Sequence, residues 1–264
     1  MTPPTHERFA VPLKMVAFDL DDTLAPSKSA LPELMDTRLR ELLDHVQVCI
    51  ISGGQMGQFR SQVLDNLHAD DAELSRLHLM PTCGTRYYRH DEGGWEEVYA
   101  HDLSEEERRG AIDSLQRHAR DLGLWEEHPW GDIVEVRGSQ ITFSALGQSA
   151  PLEAKRAWDP TGEKKAALRD AVAADLPGLE VRGGGSTSVD ITRRGIDKAY
   201  GMRKLVEVTH IPAEDMLFIG DRLDPAGNDY PVKAAGFPTR AVTGWQDCAE
   251  VIHDLVRDLD APAS

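Results

Sequence analysis

The chain is short of positive charge. Lys and Arg total 29 against 45 Asp and Glu, a formal net charge of −16 over 264 residues. Such a field repels duplex DNA, RNA and anionic lipid, which predicts neither a nucleic-acid nor a membrane partner. An anionic substrate then requires the few basic residues to be gathered locally. Cysteine is scarce as well. Cys49, Cys83 and Cys248 form an odd set without CxxC spacing, the usage expected of reduced thiols in a cytosol. No apolar stretch approaches the roughly 20 residues needed to cross a bilayer. The segment Met1-Thr2-Pro3-Pro4-Thr5-His6-Glu7-Arg8 has no long apolar core of a secretory leader. Repeats and low-complexity segments are also missing. These absences predict a soluble cytoplasmic protein of one large domain or two modest ones.

What is present is a strand–helix alternation. Met15-Val16-Ala17-Phe18 is an apolar run of the kind that forms a buried parallel strand. Helical spacing follows over Pro32 to His45, then a second buried strand from Val46 to Ile51, a helix from about Met56 to Leu67, and a strand at Leu77-His78-Leu79-Met80. Right-handed βαβ units and a parallel sheet follow from this order. The middle third differs. Ser104 to Glu107 is a capping box opening an amphipathic helix. Two alternating runs, 132–137 and 140–145, flank Gly138-Ser139, a hairpin signal. A helix over Lys164 to Asp175 precedes strands at Leu179-Glu180-Val181-Arg182 and Ser188-Val189-Asp190-Ile191, around Gly183-Gly184-Gly185. From Gly195 the chain returns to α/β, with a helix from Lys198 to Thr209, a buried strand at Met216-Leu217-Phe218-Ile219 and a last helix from Trp245 to Leu259. The expectation is a discontinuous core, residues 1–90 and 193–264, interrupted by an αββαββ domain over 91–192.

Chemistry concentrates where the apolar strands end. Asp19 and Asp21, in Asp19-Leu20-Asp21-Asp22-Thr23, stand at the mouth of the first strand, where an unpaired carboxylate costs several kcal/mol to bury. Ligands gather at the C-terminal ends of such strands; the structural alternative is an N-cap or Asx-turn. Ser52-Gly53-Gly54 ends the second strand and opens a helix, a place where backbone N–H groups meet anions. Lys198 stands just before a helix. Asp221 ends the strand Phe218-Ile219-Gly220-Asp221 and leads a long loop through Asn228 and Asp229.

Four such parts in this order resemble the haloacid dehalogenase (HAD) superfamily over about residues 14–88 and 193–245. The resemblance implies a Rossmann-like α/β core, with an inserted α+β cap built on an antiparallel sheet. It implies Asp19 as the nucleophile that accepts a phosphoryl group, and Asp21 as the acid that protonates the leaving oxygen and then activates the acceptor. Ser52 and Gly53 would bind phosphoryl oxygens, and Lys198 would neutralise nucleophile and phosphoryl together. Mg²⁺ would be held by Asp19, the Asp21 main-chain carbonyl and Asp221, with Asn228 and Asp229 in an outer ring. Position 22, where the family is expected to have Gly, carries Asp, which tolerates positive φ better than most residues.

The insert resembles the type IIB cap of HAD sugar phosphatases. Its run from Val134 to Ser149, the segment Gly184-Gly185-Ser186-Thr187-Ser188-Val189-Asp190 and the loop 220–229 look like the eukaryotic phosphomannomutase branch. That likeness implies Arg137 as a phosphate clamp and Ser188 and Asp190 as a pair for sugar hydroxyls. Structurally, Arg137 equally suits an exposed strand position and Ser188 a cross-strand partner. Two departures bear on the chemistry. Gln148 is neutral where the mutase pattern has arginine, with Lys155 or Arg156 near the next basic position. The family has a basic residue shortly after an Ala-Pro, and here Ala25-Pro26 is followed by Ser27 and Lys28. The expectation is therefore a Mg²⁺-dependent phosphatase of a sugar phosphate, with phosphomannomutase as the close alternative. A catalytically idle sugar-phosphate-binding protein is the alternative of a different class. A monomer or a homodimer is expected.

Overall fold

The computed structural model describes residues 13–261; the N-terminal segment read above for a leader lies outside them. The described residues form two compact units, one running up to Ala100 and resuming at Asp197, the other His101–Ile196.

The larger unit begins with β1 (Met15–Phe18), α1 (Glu33–Leu43), β2 (Gln47–Ile51), α2 (Met56–Phe59), α3 (Asp71–Leu74) and β3 (Leu77–Met80). A hairpin of β4 (Arg86–Asp91) and β5 (Gly94–Ala100) follows. In the smaller unit come α4 (Glu105–Asp121), β6 (Val134–Val136), β7 (Gln140–Ser144), α5 (Leu152–Trp158), α6 (Glu163–Asp175), β8 (Leu179–Gly183) and β9 (Ser188–Arg193). The larger unit then resumes with α7 (Lys198–Thr209), β10 (Met216–Gly220), α8 (Tyr230–Ala234), β11 (Thr239–Ala241) and α9 (Trp245–Asp260).

In the larger unit seven strands form one sheet, ordered β11-β10-β1-β2-β3-β4-β5, parallel except at the β4-β5 edge. Period-two geometry sends Val16 and Phe18 of β1 to one face, where they pack with Met35, Leu39 and Leu42 of α1 and Ile252 and Leu255 of α9. Met15 and Ala17 point to the other face, with Met202 and Leu205 of α7 and Val232 of α8. Burial on both faces explains why these strands read as unbroken apolar runs. Their shared direction puts the carboxyl ends of β1, β2 and β10 on one edge, and β1 lies between the other two. The chain winds away from β1 in both directions, so this edge is a topological switch point.

The expected boundary near residue 90 moves to Ala100. The β4-β5 hairpin extends the large sheet, with His78 and Leu79 of β3 pairing antiparallel to Arg89 and Tyr88. The helix expected over 56–67 is α only to Phe59. Residues Arg60–Leu64 form a π-helical turn, closed by the Asp65 N–H donating to the Arg60 carbonyl at 2.9 Å.

In the smaller unit the four strands are antiparallel in the order β6-β7-β9-β8. Ile141 and Phe143 of β7 and Val189 and Ile191 of β9 pack on Leu115 of α4 and Leu168 and Val172 of α6. The alternate positions carry Gln140, Thr142, Ser144, Ser188 and Asp190, with Thr142 opposite Asp190 and Ser144 opposite Ser188. The Ser104–Glu107 capping box is present at the start of α4. One helix was not expected: α5 has no buried residue, hence no apolar stripe to announce it.

Candidate active site

Asp19 leaves β1 at the switch point, its main-chain N–H donating to the Ile219 carbonyl of β10 at 3.0 Å. The ladder therefore holds Asp19 rigidly while its side chain turns out of the sheet. Lys198, the first residue of α7, is set by Asp197, which caps the helix by accepting from the Tyr200 N–H at 2.8 Å. The Lys198 ammonium lies 2.6 Å from Asp19 Oδ1 and 2.5 Å from Asp229 Oδ1. Asp19 is 4% exposed, Lys198 1% and Asp229 0%, so this is a buried triad with one negative charge in excess. Asp19 and Lys198 titrate accordingly. Burial raises the Asp19 carboxyl to about 6, against the opposing pull of Lys198 and with a push from Asp229. Burial works to lower the Lys198 ammonium, yet the two carboxylates outweigh it and the net shift is upward.

Asp221 ends β10 and also titrates above its ordinary range, through burial first and then the Asp229 charge. The loop that follows folds tightly on itself. A Cβ at Gly220 would come within 2.3 Å of Asp229 Oδ2, and one at Gly227 within 1.8 Å of the Arg222 carbonyl. Both glycines are thus required for Asp229 to fold back, where its Oδ2 accepts from the Arg222 N–H at 3.0 Å. Oxygens of Asp19, Asp221 and Asp229 lie within 4.8 Å of one another. An all-oxygen set of three carboxylates beside one ammonium matches the demands of a hard divalent cation. Both Asp229 oxygens are engaged, by Lys198 and by the Arg222 N–H, whereas Asp19 and Asp221 each have Oδ1 held, by Lys198 and by the Thr23 hydroxyl.

Asp19, Asp21, Asp22, Ser52, Gly53, Gly54, Asp221, Arg222 and Asn228 line a pocket of about 320 Å³. Ser52 closes β2, and its hydroxyl accepts from the Gly54 N–H at 3.2 Å. Asp22 has φ 60°, the conformation that made glycine the expected residue there. Lys28 has φ 55° and is exposed; its main-chain N–H, rather than its ammonium, is what reaches Asp21, at 2.7 Å from Oδ1. Two side chains not singled out from the sequence also hold Asp21. Gln58 Nε2 donates to Oδ2 at 2.9 Å and Gln62 Nε2 to Oδ1 at 3.3 Å. Their i, i+4 spacing just after Ser52-Gly53-Gly54 was the available signal.

The remaining expected residues belong to the smaller unit. Asp190 Oδ1 accepts from Thr142 Oγ1 at 2.7 Å and Gln140 Nε2 at 3.0 Å, and Ser188 Oγ lies 3.4 Å from Ser144 Oγ. Arg137 is paired with Glu135 at 2.8 Å, two places back on the same strand face. Lys155 donates to the Gln148 carbonyl at 2.9 Å. The Gln148 amide nitrogen is buried without a partner among the described residues.

A family model described as eukaryotic phosphomannomutase matches residues 35–257. The chain belongs to that family. A phosphomannomutase of Encephalitozoon cuniculi is 26% identical over 222 residues, 81% of this chain and 82% of the relative. A probable phosphomannomutase of Caenorhabditis elegans is 25% identical over 269 residues, 98% of this chain and all of the relative. Among solved structures, ATP-bound Plasmodium falciparum IMP-nucleotidase superposes with a TM-score of 0.71 at 14% identity, covering 96% of this chain and 62% of that one. A haloacid dehalogenase-like hydrolase from Bacteroides thetaiotaomicron gives 0.63 at 15%, covering 92% and 99%. These superpositions share the fold. With the family match they make the chain a HAD enzyme of the phosphotransferase and phosphohydrolase type. No helix among the described residues is long and apolar enough to cross a membrane.

Proposed function

We propose that this member of the phosphomannomutase family transfers the phosphoryl group of a hexose phosphate to Asp19 and from there chiefly to water. The observation that carries the reading is the Lys198 ammonium 2.6 Å from Asp19 at the mouth of a polar pocket. That ammonium keeps a buried carboxylate charged and offsets the repulsion between nucleophile and phosphoryl group. An Asp19 oxygen attacks phosphorus as the bond from phosphorus to the sugar oxygen breaks. Asp21, protonated for this half, gives its proton to the departing oxygen. In the second half Asp21 takes a proton from water while the water oxygen bonds to phosphorus and the Asp19–phosphorus bond breaks. Ser52 and the Gly53 N–H hold the phosphoryl oxygens. Asp19, the Asp21 main-chain carbonyl and Asp221 would hold Mg²⁺, with Asp229 and Asn228 around it, and the ion would supply positive charge to the transferring group.

Water is favoured as acceptor because three of the smaller unit's positions expected to face a second phosphate offer little free positive charge. Gln148 is neutral, Arg137 is paired with Glu135, and Lys155 is engaged by a carbonyl. Retaining a hexose bisphosphate while it reorients needs more cationic donors than these. The second reading, interconversion of hexose 6-phosphate and hexose 1-phosphate, is favoured by the family to which the chain belongs. Ser188 and Asp190 are placed here as hydroxyl-binding residues under either reading.

A screen of hexose phosphates with Mg²⁺, with and without a hexose bisphosphate activator, tests both. Phosphate release by the wild type and none by Asp19→Asn is the expected result. Isomerised hexose phosphate as the main product would replace the first reading with the second, and no turnover of any ester would overturn both.

A further inference from the structure

We propose that Gln58 and Gln62 are positioning residues for Asp21, fixing its carboxylate for proton transfer at the leaving oxygen. The inference rests on the function proposed above and deepens it.

Each Asp21 oxygen receives one side-chain amide: Oδ2 takes Gln58 Nε2 at 2.9 Å, and Oδ1 takes Gln62 Nε2 at 3.3 Å together with the Lys28 N–H at 2.7 Å. A carboxylate gripped at both oxygens has one orientation, which is what a proton donor or acceptor requires. Packing alone does not explain glutamine at position 62. Its side chain is 3% exposed, and its Oε1 is buried with no partner among the described residues. An unmade hydrogen bond of this kind costs about 1–3 kcal/mol, which a leucine of similar length would avoid. Attachment of the neighbouring loop does not need the amide either, because the Leu31 N–H already donates to the Gln62 main-chain carbonyl at 2.7 Å. What the amide adds is its pair of bonds to Asp21 and to the Ser29 carbonyl, the latter at 2.8 Å.

Gln62 lies in the π-helical turn Arg60–Leu64, a distortion found often at functional sites. Gln58 stands one helical step earlier and covers Gly54. A methyl group there would come within 2.1 Å of Gln58 Oε1. One side chain thus touches both the glycine that ends the phosphoryl-binding loop and the acid–base carboxylate, so these two parts are set in register by Gln58.

The test compares substrates that differ in their need for an acid. A sugar oxygen leaves poorly without a proton, whereas p-nitrophenolate leaves readily. In Gln58→Leu and Gln62→Leu, kcat/KM for the wild type's best hexose phosphate falls about 10- to 100-fold, and that for p-nitrophenyl phosphate by no more than about threefold. Asp21→Asn shows the same selectivity. Equal losses on both substrates, or none, overturn the proposal. Crystal structures provide an arm independent of turnover. The wild type shows both amides within hydrogen-bonding distance of Asp21, and in the Gln58→Leu/Gln62→Leu double variant the carboxylate rotates away. An Asp21 unmoved in the double variant, or free of both amides in the wild type, overturns it. Absence of any phosphatase or mutase activity in the wild type would count against the proposed function and leave the crystallographic arm to decide this one.

Discussion

The Thr23 hydroxyl grips Asp221 twice, donating to its Oδ1 at 3.2 Å and accepting from its main-chain N–H at 3.1 Å, across 198 positions of sequence. Thr23 is fully buried, so the contact is protected from water. It locks the end of β10 to the turn that follows β1, and with it the spacing between the two carboxylates placed here on Mg²⁺. Thr23→Val keeps the shape and removes both bonds. Partners that orient metal ligands are worth about 10- to 100-fold in affinity. Titration of activity with Mg²⁺ should therefore show half-saturation shifted upward by at least about tenfold. An unchanged Mg²⁺ dependence would remove Thr23 from the ligand-orienting role.

Lys198 matters to folding as well as to the proposed chemistry. Its ammonium is the cation that the structure places against both Asp19 and Asp229. Lys198→Met fits the space but leaves two buried carboxylates facing each other, a loss of about 3–5 kcal/mol. Urea denaturation should show that fall in stability. Adding Asp229→Asn, which removes one of the two charges, should restore part of it. Equal stabilities for the single and double variants would show that the charge pair is not the cause.

Much of this site was readable because buried strands make polar residues conspicuous. An aspartate directly after Met15-Val16-Ala17-Phe18, and another after Phe218-Ile219-Gly220, have no place in a core, and both open onto the pocket. Contacts between distant segments were not readable. Nothing local connects Gln58 with Asp21, 37 positions away, or Thr23 with Asp221. The hairpin 86–100 shows its own turn but not the sheet edge it joins, so the core ends later than expected. In the smaller unit, Arg137 was singled out as a phosphate clamp by the family likeness. Glu135 is two residues away on the same strand face, and the structure pairs them.

His78 gives the fold an acid-sensitive point away from the pocket. Fully buried on β3, it lies with Nε2 2.6 Å from Gln47 Oε1, an acceptor, and with Nδ1 2.8 Å from the Tyr87 hydroxyl. The proton therefore belongs on Nε2 and the ring is neutral. Burial, aided by the Arg89 charge, lowers its pKa to about 3. A histidine depressed in the folded state gains its proton first in the unfolded chain. Its contribution to stability is present above the ordinary value of about 6.5 and is lost as pH falls from there toward 3. Between pH 8 and pH 5 the loss is about 2 kcal/mol. Denaturation at the two pH values should show that increment in the wild type and its disappearance in His78→Gln, beyond whatever decline other groups impose on both. Equal pH slopes would show that His78 does not titrate on unfolding.

Gly201 is where α7, the helix carrying Lys198, approaches the turn after β3. A Cβ at Gly84, which has φ +82°, would come within 2.5 Å of the Gly201 Cα. A Cβ at Gly201 would meet Ile51 Cδ1 at 2.2 Å and the Cys83 carbonyl at 2.8 Å. The isoleucine tip can turn aside, but the carbonyl belongs to backbone and cannot. Alanine is the better helix former, by up to about 1 kcal/mol at an open helical site. At this contact the clash outweighs that gain. Gly201→Ala is therefore expected to destabilise the protein by about 1–3 kcal/mol and to push the start of α7 away from β1. Lengthening of the Lys198–Asp19 ion pair should then lower kcat along with stability. Gly57→Ala is the control, because nothing lies within 4 Å of the Cβ it would add. A Gly201→Ala protein as stable and active as that control would show that α7 is free to shift, and that its close approach does not set the position of Lys198.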